Sequence, residues 1–224
     1  MNPTRVILLH GAATTGAVWD QVQALLRKSP DMPEVIAPDR PCTGNLAEEV
    51  AWAAPLAKGA LVVGVGSGAT LCLGLAASDV QMAASLAHEP AVGHLFPDLL
   101  SPLVTAYARG GARAYAKALY GDEWDASMLG DPEAVARDFA MLRTYWPAPA
   151  REGQGSVLVT VGELSPPIRH QAADALSSIV GYNVVTLPRA RHFVQRENPA
   201  LIAEWIVAMV AGLRAGRSAP KNVA

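Results

Sequence analysis

Cysteine and charge are both scarce in this chain. Of its 224 residues, two are cysteines and 17% are charged, against about 25% in an average globular protein. Cys42 and Cys72 match no metal-ligand spacing, so both are predicted to be free thiols in a reducing compartment, the cytoplasm. A small scaffold held together by disulfides is excluded, because a chain this long with 51% hydrophobic residues can bury a core without them.

An excess of positive charge is also lacking. The net charge is −2 and the pI is about 6.2, so no basic field attracts nucleic acid or an anionic membrane. The apolar run after Arg5 is too short for a secretory signal, and no export is expected. Residues 59–78 carry no charge, but five glycines interrupt them, which favours a strand, a tight turn and a buried helix over a membrane span.

Short apolar runs alternate with helical patterns, which predicts an α/β fold with a parallel sheet covered by helices. The predicted strands are 5–9, 34–38, 61–65, 82–87, 157–161 and 184–187. The predicted helices are 17–28, 46–56, 69–77 and 199–213, with one more carrying Ile168, Ala172, Leu176 and Ile179 on its buried face.

The alternation stops after Pro90, and a helical pattern fills residues 93–149. This segment is predicted to be a helical cap inserted into a core formed by 1–92 and 150–213, followed by a disordered tail at 214–224. Most aromatic residues of the cap are expected to hold it to the core, and a minority to contact a ligand. These aromatics are Phe96, Tyr107, Tyr115, Tyr120, Trp124, Tyr145 and Trp146.

Residues suited to chemistry follow the predicted strands. They lie in four segments, 10–12, 37–41, 64–68 and 191–193. Because the carboxyl ends of parallel strands share one edge of a sheet, and open α/β sheets bind ligands there, these segments are expected to form one site.

Together these motifs resemble the α/β-hydrolase superfamily over 5–213, and a bacterial branch of small hydrolase-like proteins in particular. The resemblance rests on the His10-Gly11 loop, the segment APDRP, the glycine-rich turn, the HEP run at 88–90, the Gly162-Glu163 turn and His192 before the last helix. It implies a central, mostly parallel sheet, an inserted helical cap and a site built from a nucleophile, a histidine and an acid.

The nucleophile of that family is missing here. The family motif is G-x-S-x-G, with the serine on a strained turn between strand and helix. Aligning Gly64 and Gly68 with the motif glycines places Gly66 where the serine belongs. Ser67 follows at the position whose backbone N–H, with that of Ala12 in the His10-Gly11 loop, forms the family's oxyanion hole.

The acid is altered as well. The family pattern G-x-x-D after the next-to-last core strand becomes Gly162-Glu163-Leu164-Ser165, so Ser165 replaces the aspartate. His192 keeps its family residue type, and the triad is therefore degenerate. Glu89 and Glu163, each just after a predicted strand, are the candidates for an acid that orients His192.

Three functions stay open at this point. In the favoured one, an enzyme of the lyase, isomerase or cyclase type moves a proton with His192 and holds an oxyanion on Ala12 and Ser67 N–H groups. In the second, the turn shifts so that Ser67 becomes the nucleophile of a serine hydrolase with His192 as base. In the third, the protein binds a small molecule and turns nothing over.

The pocket is predicted to be largely apolar, with His10, Gly11, Trp19 and Phe193 beside the oxyanion loop and the histidine. A small, apolar carbonyl compound is the expected partner, with no nucleic acid and no membrane, and either a monomer or a homodimer is compatible with the sequence. No dinucleotide, P-loop or paired-histidine motif occurs, so no cofactor and no metal are expected. Asp39 and Arg40 are expected to form a local ion pair.

Overall fold

The computed structural model describes residues 2–216, which form a six-stranded parallel sheet flanked by helices. The strand order is β2-β1-β3-β4-β5-β6, and every neighbouring pair is parallel. The strands are β1 Arg5–Leu9, β2 Glu34–Ile36, β3 Leu61–Val65, β4 Ala84–His88, β5 Ser156–Gly162 and β6 Asn183–Leu187. The predicted α/β fold is confirmed.

Within residues 2–216, eight α-helices connect and cover the strands. They are α1 Asp20–Leu26, α2 Leu46–Ala57, α3 Ser67–Ala76, α4 Ser101–Tyr120, α5 Pro132–Thr144, α6 Pro167–Ala175, α7 Val194–Glu197 and α8 Pro199–Arg214. A π-helical turn, Leu176–Val180, continues α6, and α4 is broken by non-helical backbone at Gly110 and Gly111. Among the described residues no helix is long and apolar enough to cross a membrane.

The four inner strands, β1, β3, β4 and β5, bury both of their faces, because alternate side chains of one strand enter two separate hydrophobic clusters. In β1, Val6 and Leu8 join the cluster that contains α1 and α8, whereas Ile7 and Leu9 join the cluster that contains α2, α3 and α6. Trp205 of α8 and Trp19 are fully or almost fully buried in the first cluster. This double burial explains why the strands read as continuous apolar runs in the sequence.

Several predicted boundaries are corrected. β2 ends at Ile36 rather than at residue 38, where Pro38 has no N–H to donate to a sheet. The helix predicted at 17–28 is a 3₁₀ turn, Gly16–Trp19, followed by the shorter α1. The strand predicted at 82–87 begins two residues later, because the Met82 N–H donates to the side-chain amide oxygen of Gln154.

Two predictions near helix ends are also corrected. Ile179 is 68% exposed and does not belong to the buried face assigned to it, because the helix widens into the π-helical turn there. The tail predicted from residue 214 begins after α8, whose last residue is Arg214, and its part from residue 217 onwards lies outside the described residues.

The segment 93–149, predicted as an inserted cap, lies between β4 and β5 and contains α4 and α5 with short 3₁₀ turns. Several of its side chains, including Tyr115 and Phe139, join the same cluster as α1 and α8. Its helices are therefore packed onto the sheet end at which β1, β3 and β4 finish. Whether it is a separate domain stays a prediction.

Candidate active site

The glycine-rich turn after β3 is centred on Gly66, the residue that the family resemblance places at the nucleophile position. Gly66 has φ 59° and ψ −119°, a conformation that side-chain-bearing residues rarely adopt. The turn is held by three hydrogen bonds: the Gly66 N–H donates to the His88 carbonyl at 3.1 Å, and the Gly66 carbonyl accepts from the Thr70 N–H at 2.9 Å and from the Thr70 hydroxyl at 3.2 Å. A Cβ added at Gly66 would lie 3.2 Å from Nε2 of His192. The turn therefore points at the histidine.

The two outer glycines of the motif are required by packing. A Cβ at Gly64 would meet the Gly68 carbonyl oxygen at 2.3 Å, and one at Gly68 would meet the Leu9 carbonyl oxygen at the same distance. Both glycines thus let the first turn of α3 approach the strand ends closely. The close approach of α3 to the strand ends therefore depends on both glycines.

His192 and Glu89 form a buried hydrogen-bonded pair. His192 follows β6 and precedes α7, and Glu89 is the residue directly after β4, with φ 48°. Nδ1 of His192 lies 3.0 Å from Oε2 of Glu89. Because an ionised carboxylate only accepts hydrogen bonds, Nδ1 carries the proton and Nε2 presents a lone pair. Nε2 is buried and has no hydrogen-bond partner within residues 2–216.

The Glu89 carboxylate is anchored by groups from β5 and α6. Its Oε1 accepts the Gly162 N–H at 2.8 Å and the hydroxyl of Ser165, and its Oε2 lies 3.0 Å from Nε of Arg169. Burial alone would raise the pKa of Glu89, but Arg169 and the hydrogen bond from His192 outweigh it and hold the pKa of this carboxyl well below its usual range. Glu89 is therefore ionised at neutral pH.

Burial keeps His192 neutral. Desolvation, followed by the positive charge of Arg169, lowers the pKa of His192 from 6.5 to about 4, although the hydrogen bond to Glu89 acts in the opposite direction. At pH 7 the imidazole is a neutral ring with a free basic nitrogen. A ring in this state can accept a proton from a bound molecule, as a general base must.

Ser67 is turned away from His192. Its hydroxyl accepts a hydrogen bond from the Arg40 guanidinium at 2.6 Å and donates to Oδ2 of Asp138 at 3.0 Å. Arg40 also forms ion pairs with Asp138 at 2.8 Å and Glu49 at 3.2 Å, all with essentially no exposed side chain. The local pair expected between Asp39 and Arg40 is wrong: these longer-range carboxylates hold the guanidinium, and Asp39 instead accepts the Gly16 N–H.

The loop after β1 is fixed by hydrogen bonds to its carbonyl groups. The Tyr120 hydroxyl donates to the Ala12 carbonyl at 2.7 Å, and the Trp124 indole N–H donates to the Ala13 carbonyl at 2.9 Å. Nε2 of His10 accepts the Arg40 N–H at 2.9 Å, which places the ring proton on Nδ1, toward the Gly11 carbonyl. Burial lowers the pKa of His10 to about 4, so it too is neutral.

Ala12, Ser67 and His192 line one small cavity. The space open to the centre of a water molecule is about 20 Å³. Apart from Gly66, Glu89 and Arg169, the rest of the lining is hydrophobic or aromatic. These side chains are Ala91, Leu99, Leu100, Leu103, Tyr115 and Leu119.

The other predicted pocket residues lie elsewhere. Trp19 and Phe193 are fully buried in the core and do not line this cavity. His10 lines a different cavity of about 220 Å³, together with Cys42. Glu163 is exposed and accepts the Arg189 N–H at 2.8 Å, so it does not reach His192.

Among the aromatics of 93–149, Tyr115 alone lines the small cavity, whereas most of the others pack onto the core. Trp146 is 61% exposed.

Burial raises the pKa of Cys42 to about 12, so its thiol is not an activated nucleophile.

Arg169 and Asp138 were missed by the sequence analysis. Arg169 lies in the first turn of α6, where the helix dipole disfavours a cation. A positive charge at that place is a sequence signal for a nearby carboxylate, here Glu89. Asp138 gives no such signal, since its partner Arg40 is 98 residues away in the chain.

The chain belongs to the alpha/beta hydrolase family, whose sequence model matches residues 6–205. It is similar in structure to an enol-lactonase from Burkholderia xenovorans LB400, with a TM-score of 0.71 and 18% identity, over 94% of this chain and 92% of that one. The carboxylesterase CesB (YbfK) from Bacillus subtilis gives a TM-score of 0.60 and 17% identity, over 94% and 85%.

A third similar structure is MenH from S. aureus, with a TM-score of 0.67 and 12% identity over 96% of each chain. These likenesses establish the fold. No curated protein matches the chain by sequence.

Proposed function

We propose that the protein is an enzyme of the α/β-hydrolase fold that acts on a small, largely apolar carbonyl compound without a serine nucleophile, with His192 as the group that moves the proton. The observation that carries this proposal is the state of His192: Nδ1 is bound to Glu89, and Nε2 is buried, unpartnered and directed at Gly66. A binding protein has no need of a basic nitrogen kept desolvated in this way.

The reaction class follows from what surrounds that nitrogen. A carbonyl oxygen placed against the N–H groups of Ala12 and Ser67 would gain negative charge when His192 removes a proton, and oriented N–H donors stabilise such a charge. Among the described residues, neither N–H donates a backbone hydrogen bond in a loop or turn. The degenerate triad is thus proposed to serve lyase, isomerase or cyclase chemistry.

The substrate is proposed to be apolar because leucine side chains from the segment before α4 and from α4 supply most of the remaining cavity wall. These are Leu99, Leu100, Leu103 and Leu119. Residues 93–149 are proposed to act as a cap. Since the cavity is only about 20 Å³, a substrate larger than water enters only if this segment moves.

The serine-hydrolase alternative requires Ser67 to exchange both of its partners. Its hydroxyl would leave Arg40 and Asp138 and rotate toward His192. The likeness to a carboxylesterase makes this alternative worth testing, and a fluorophosphonate tests it directly. We expect no labelling of the wild-type protein; labelling that disappears in Ser67→Ala would establish the alternative instead.

The proposed function itself is tested by deuterium exchange. In D₂O, the protein is expected to speed exchange of the hydrogens beside the carbonyl in members of a panel of small apolar lactones and β-diketones. His192→Ala should lower the rate by about 10²–10⁴-fold, the usual contribution of a general base. Glu89→Gln should also lower it, whereas Glu163→Gln, which changes an exposed carboxylate in the same way, should not.

A protein that shifts its melting temperature on binding panel members, but exchanges no hydrogens and loses nothing in His192→Ala, would be a binding protein. That result would overturn the proposed function.

A further inference from the structure

The place of the missing serine hydroxyl is an unfilled position next to a base. A Cβ at Gly66 would lie 3.2 Å from Nε2 and 3.3 Å from Cε1 of His192. A hydroxyl on that carbon would extend by one more bond, so the oxygen of a serine here would lie within hydrogen-bonding reach of Nε2. Because residue 66 is a glycine, there is no such oxygen, although the backbone turn that would position it is formed.

His192 Nε2 is one of the few buried polar side-chain atoms without a partner in residues 2–216. Buried polar groups in proteins are nearly always hydrogen-bonded, to ordered water where no protein group is available. Nδ1 already donates to Glu89, so the lone pair of Nε2 requires a donor. Tyr120 stacks on the imidazole with 5.6 Å between the ring centroids, but its hydroxyl donates to the Ala12 carbonyl and not to Nε2.

The cavity at this point has the size of one water molecule. Its volume of about 20 Å³ exceeds the roughly 10–15 Å³ that one water needs on the same measure. A water there has an acceptor in His192 Nε2 and is near the polar backbone of Ala12 and Ser67, which line the same cavity. Hydrophobic side chains close most of the remaining wall, so the water is confined to the polar end.

We propose that Gly66 creates a binding site for a water molecule held by His192 Nε2, and that this water is the nucleophile of a hydrolysis that forms no acyl-enzyme. The inference rests on the proposed role of His192 as base and goes beyond the proposed reaction classes, because the same base would then also serve cleavage of an ester or lactone in a single displacement. The glycine is then a functional residue, because any side chain would occupy the position of the water.

The step balances without a cofactor. A lone pair of the water oxygen forms a bond to the carbonyl carbon, and one water proton moves to Nε2 of His192. The carbonyl π electrons move onto its oxygen, which lies against the N–H groups of Ala12 and Ser67. When those electrons return, the bond to the leaving oxygen breaks, and His192 gives its proton to that oxygen.

The first experiment is a crystal structure of the full chain, as wild type and as Gly66→Ala. We expect a water about 2.7–3.2 Å from His192 Nε2 in the wild type, the distance range of a hydrogen bond, and none in Gly66→Ala. A dry cavity in the wild type, or a protein group at Nε2, would overturn the inference. It would leave the proposed function standing, since proton transfer to and from a substrate carbon needs no water.

The second experiment places a hydroxyl where the water is proposed to lie. Gly66→Ser is expected to be labelled covalently by a fluorophosphonate, and the double variant Gly66→Ser/His192→Ala is expected not to be. The matched control is Gly121→Ser, because Gly121 has a similar backbone, φ 66° and ψ −144°, and an added Cβ there meets nothing within 4 Å. It introduces the same side chain and similar strain away from the site.

The two readouts separate the two ideas. Labelling of Gly66→Ser shows that His192 acts as a base, whatever the wild-type reaction is. If Gly66→Ser melts within a few degrees of Gly121→Ser and is not labelled, His192 is not a working base, and both the proposed function and the inference fail. If it is labelled but the wild type holds no water at Nε2, the inference alone fails.

The third readout is the pre-steady-state burst. With p-nitrophenyl butyrate as the probe, the wild type should release p-nitrophenol without an initial burst, and Gly66→Ser should show a burst of up to one equivalent as the acyl group accumulates. Gly66→Ala should be at least about tenfold slower than Gly121→Ala, given the 10²–10⁴-fold range of general-base catalysis. A wild-type burst would contradict the single displacement.

Discussion

Removing the carboxylate of Asp138 should destabilise the protein far more than removing any exposed acid of the same helix. Asp138 lies in α5 and accepts hydrogen bonds from both terminal nitrogens of Arg40, at 2.8 and 3.2 Å, and from the Ser67 hydroxyl at 3.0 Å. It is 1% exposed. The variant Asp138→Ala leaves the buried guanidinium with Glu49 as its remaining charged partner.

The magnitude follows from that residual pairing. Breaking a buried ion pair by deleting one partner costs about 3–5 kcal/mol, because the other charge stays buried. Since Glu49 still compensates part of the charge, the lower end applies, and we expect a loss of about 3 kcal/mol in the free energy of unfolding. Part of this loss arises because the Ser67 hydroxyl also loses its hydrogen-bond acceptor.

Urea denaturation followed by tryptophan fluorescence measures the effect. With an m value of about 2 kcal/mol/M, a loss of 3 kcal/mol lowers the midpoint by about 1.5 M. The matched control is Glu133→Ala in the first turn of the same helix, whose exposed carboxylate lies 3.9 Å from Arg137. An exposed pair of this kind contributes about 0–1 kcal/mol.

If Asp138→Ala unfolds within about 0.5 kcal/mol of the wild type, Arg40 is compensated by Glu49 alone, and the reasoning about the buried charge is wrong. A large loss in Glu133→Ala would refute it equally, because burial would then not distinguish the two acids.

The other predictions concern the histidine and the loop beside it. In an NMR titration the His192 ring should stay neutral down to about pH 4 rather than 6.5. The unfolded chain takes up this proton near pH 6.5, so the free energy of unfolding should decrease as the pH falls from about 6.5 toward 4. A titration midpoint near 6.5 in the folded protein would contradict both statements. In Arg169→Gln the same titration should move to higher pH, since that guanidinium lowers the pKa of His192, and an unchanged midpoint would show that burial alone sets it. Tyr120→Phe should cost about 1–2 kcal/mol in urea denaturation, because the buried Ala12 carbonyl loses its donor; no loss would mean that another group replaces the hydroxyl.

The strands of the sheet could be predicted from the sequence where they are buried, because buried strands consist mainly of apolar residues. β1 and β3 have the predicted bounds, because each is covered on both faces and every position apart from Arg5 is buried and carries no polar side chain. The limits of β2 and α1 were not predictable in the same way. They depend on where Pro38 ends hydrogen bonding and on the 3₁₀ turn before α1, which no periodicity reports.

The candidate site, too, was only partly predictable from the sequence. Gly66, Glu89 and His192 each follow a strand, so chain order alone could place them at one edge of the sheet. Which side chains then meet is a property of tertiary packing. Ser67 and Arg40 were identified as residues of the right loops, but their bonds to Asp138 join segments far apart in the chain, and short-range patterns contain no information about them.

The carboxylate beside His192 comes from the end of β4. Ser165 lies in the turn after β5, where the family resemblance predicts an aspartate, and it is Glu89 that reaches the His192 ring. This is possible because β4 and β5 are parallel neighbours, so the residues that follow them end within reach of the same ring nitrogen. Ser165 then donates its hydroxyl to Glu89 rather than facing the histidine. The Ser165 hydroxyl thus helps to hold the Glu89 carboxylate, whereas a carboxylate at position 165 would repel it. Ser165 and Glu89 therefore form one arrangement that keeps the His192 ring oriented.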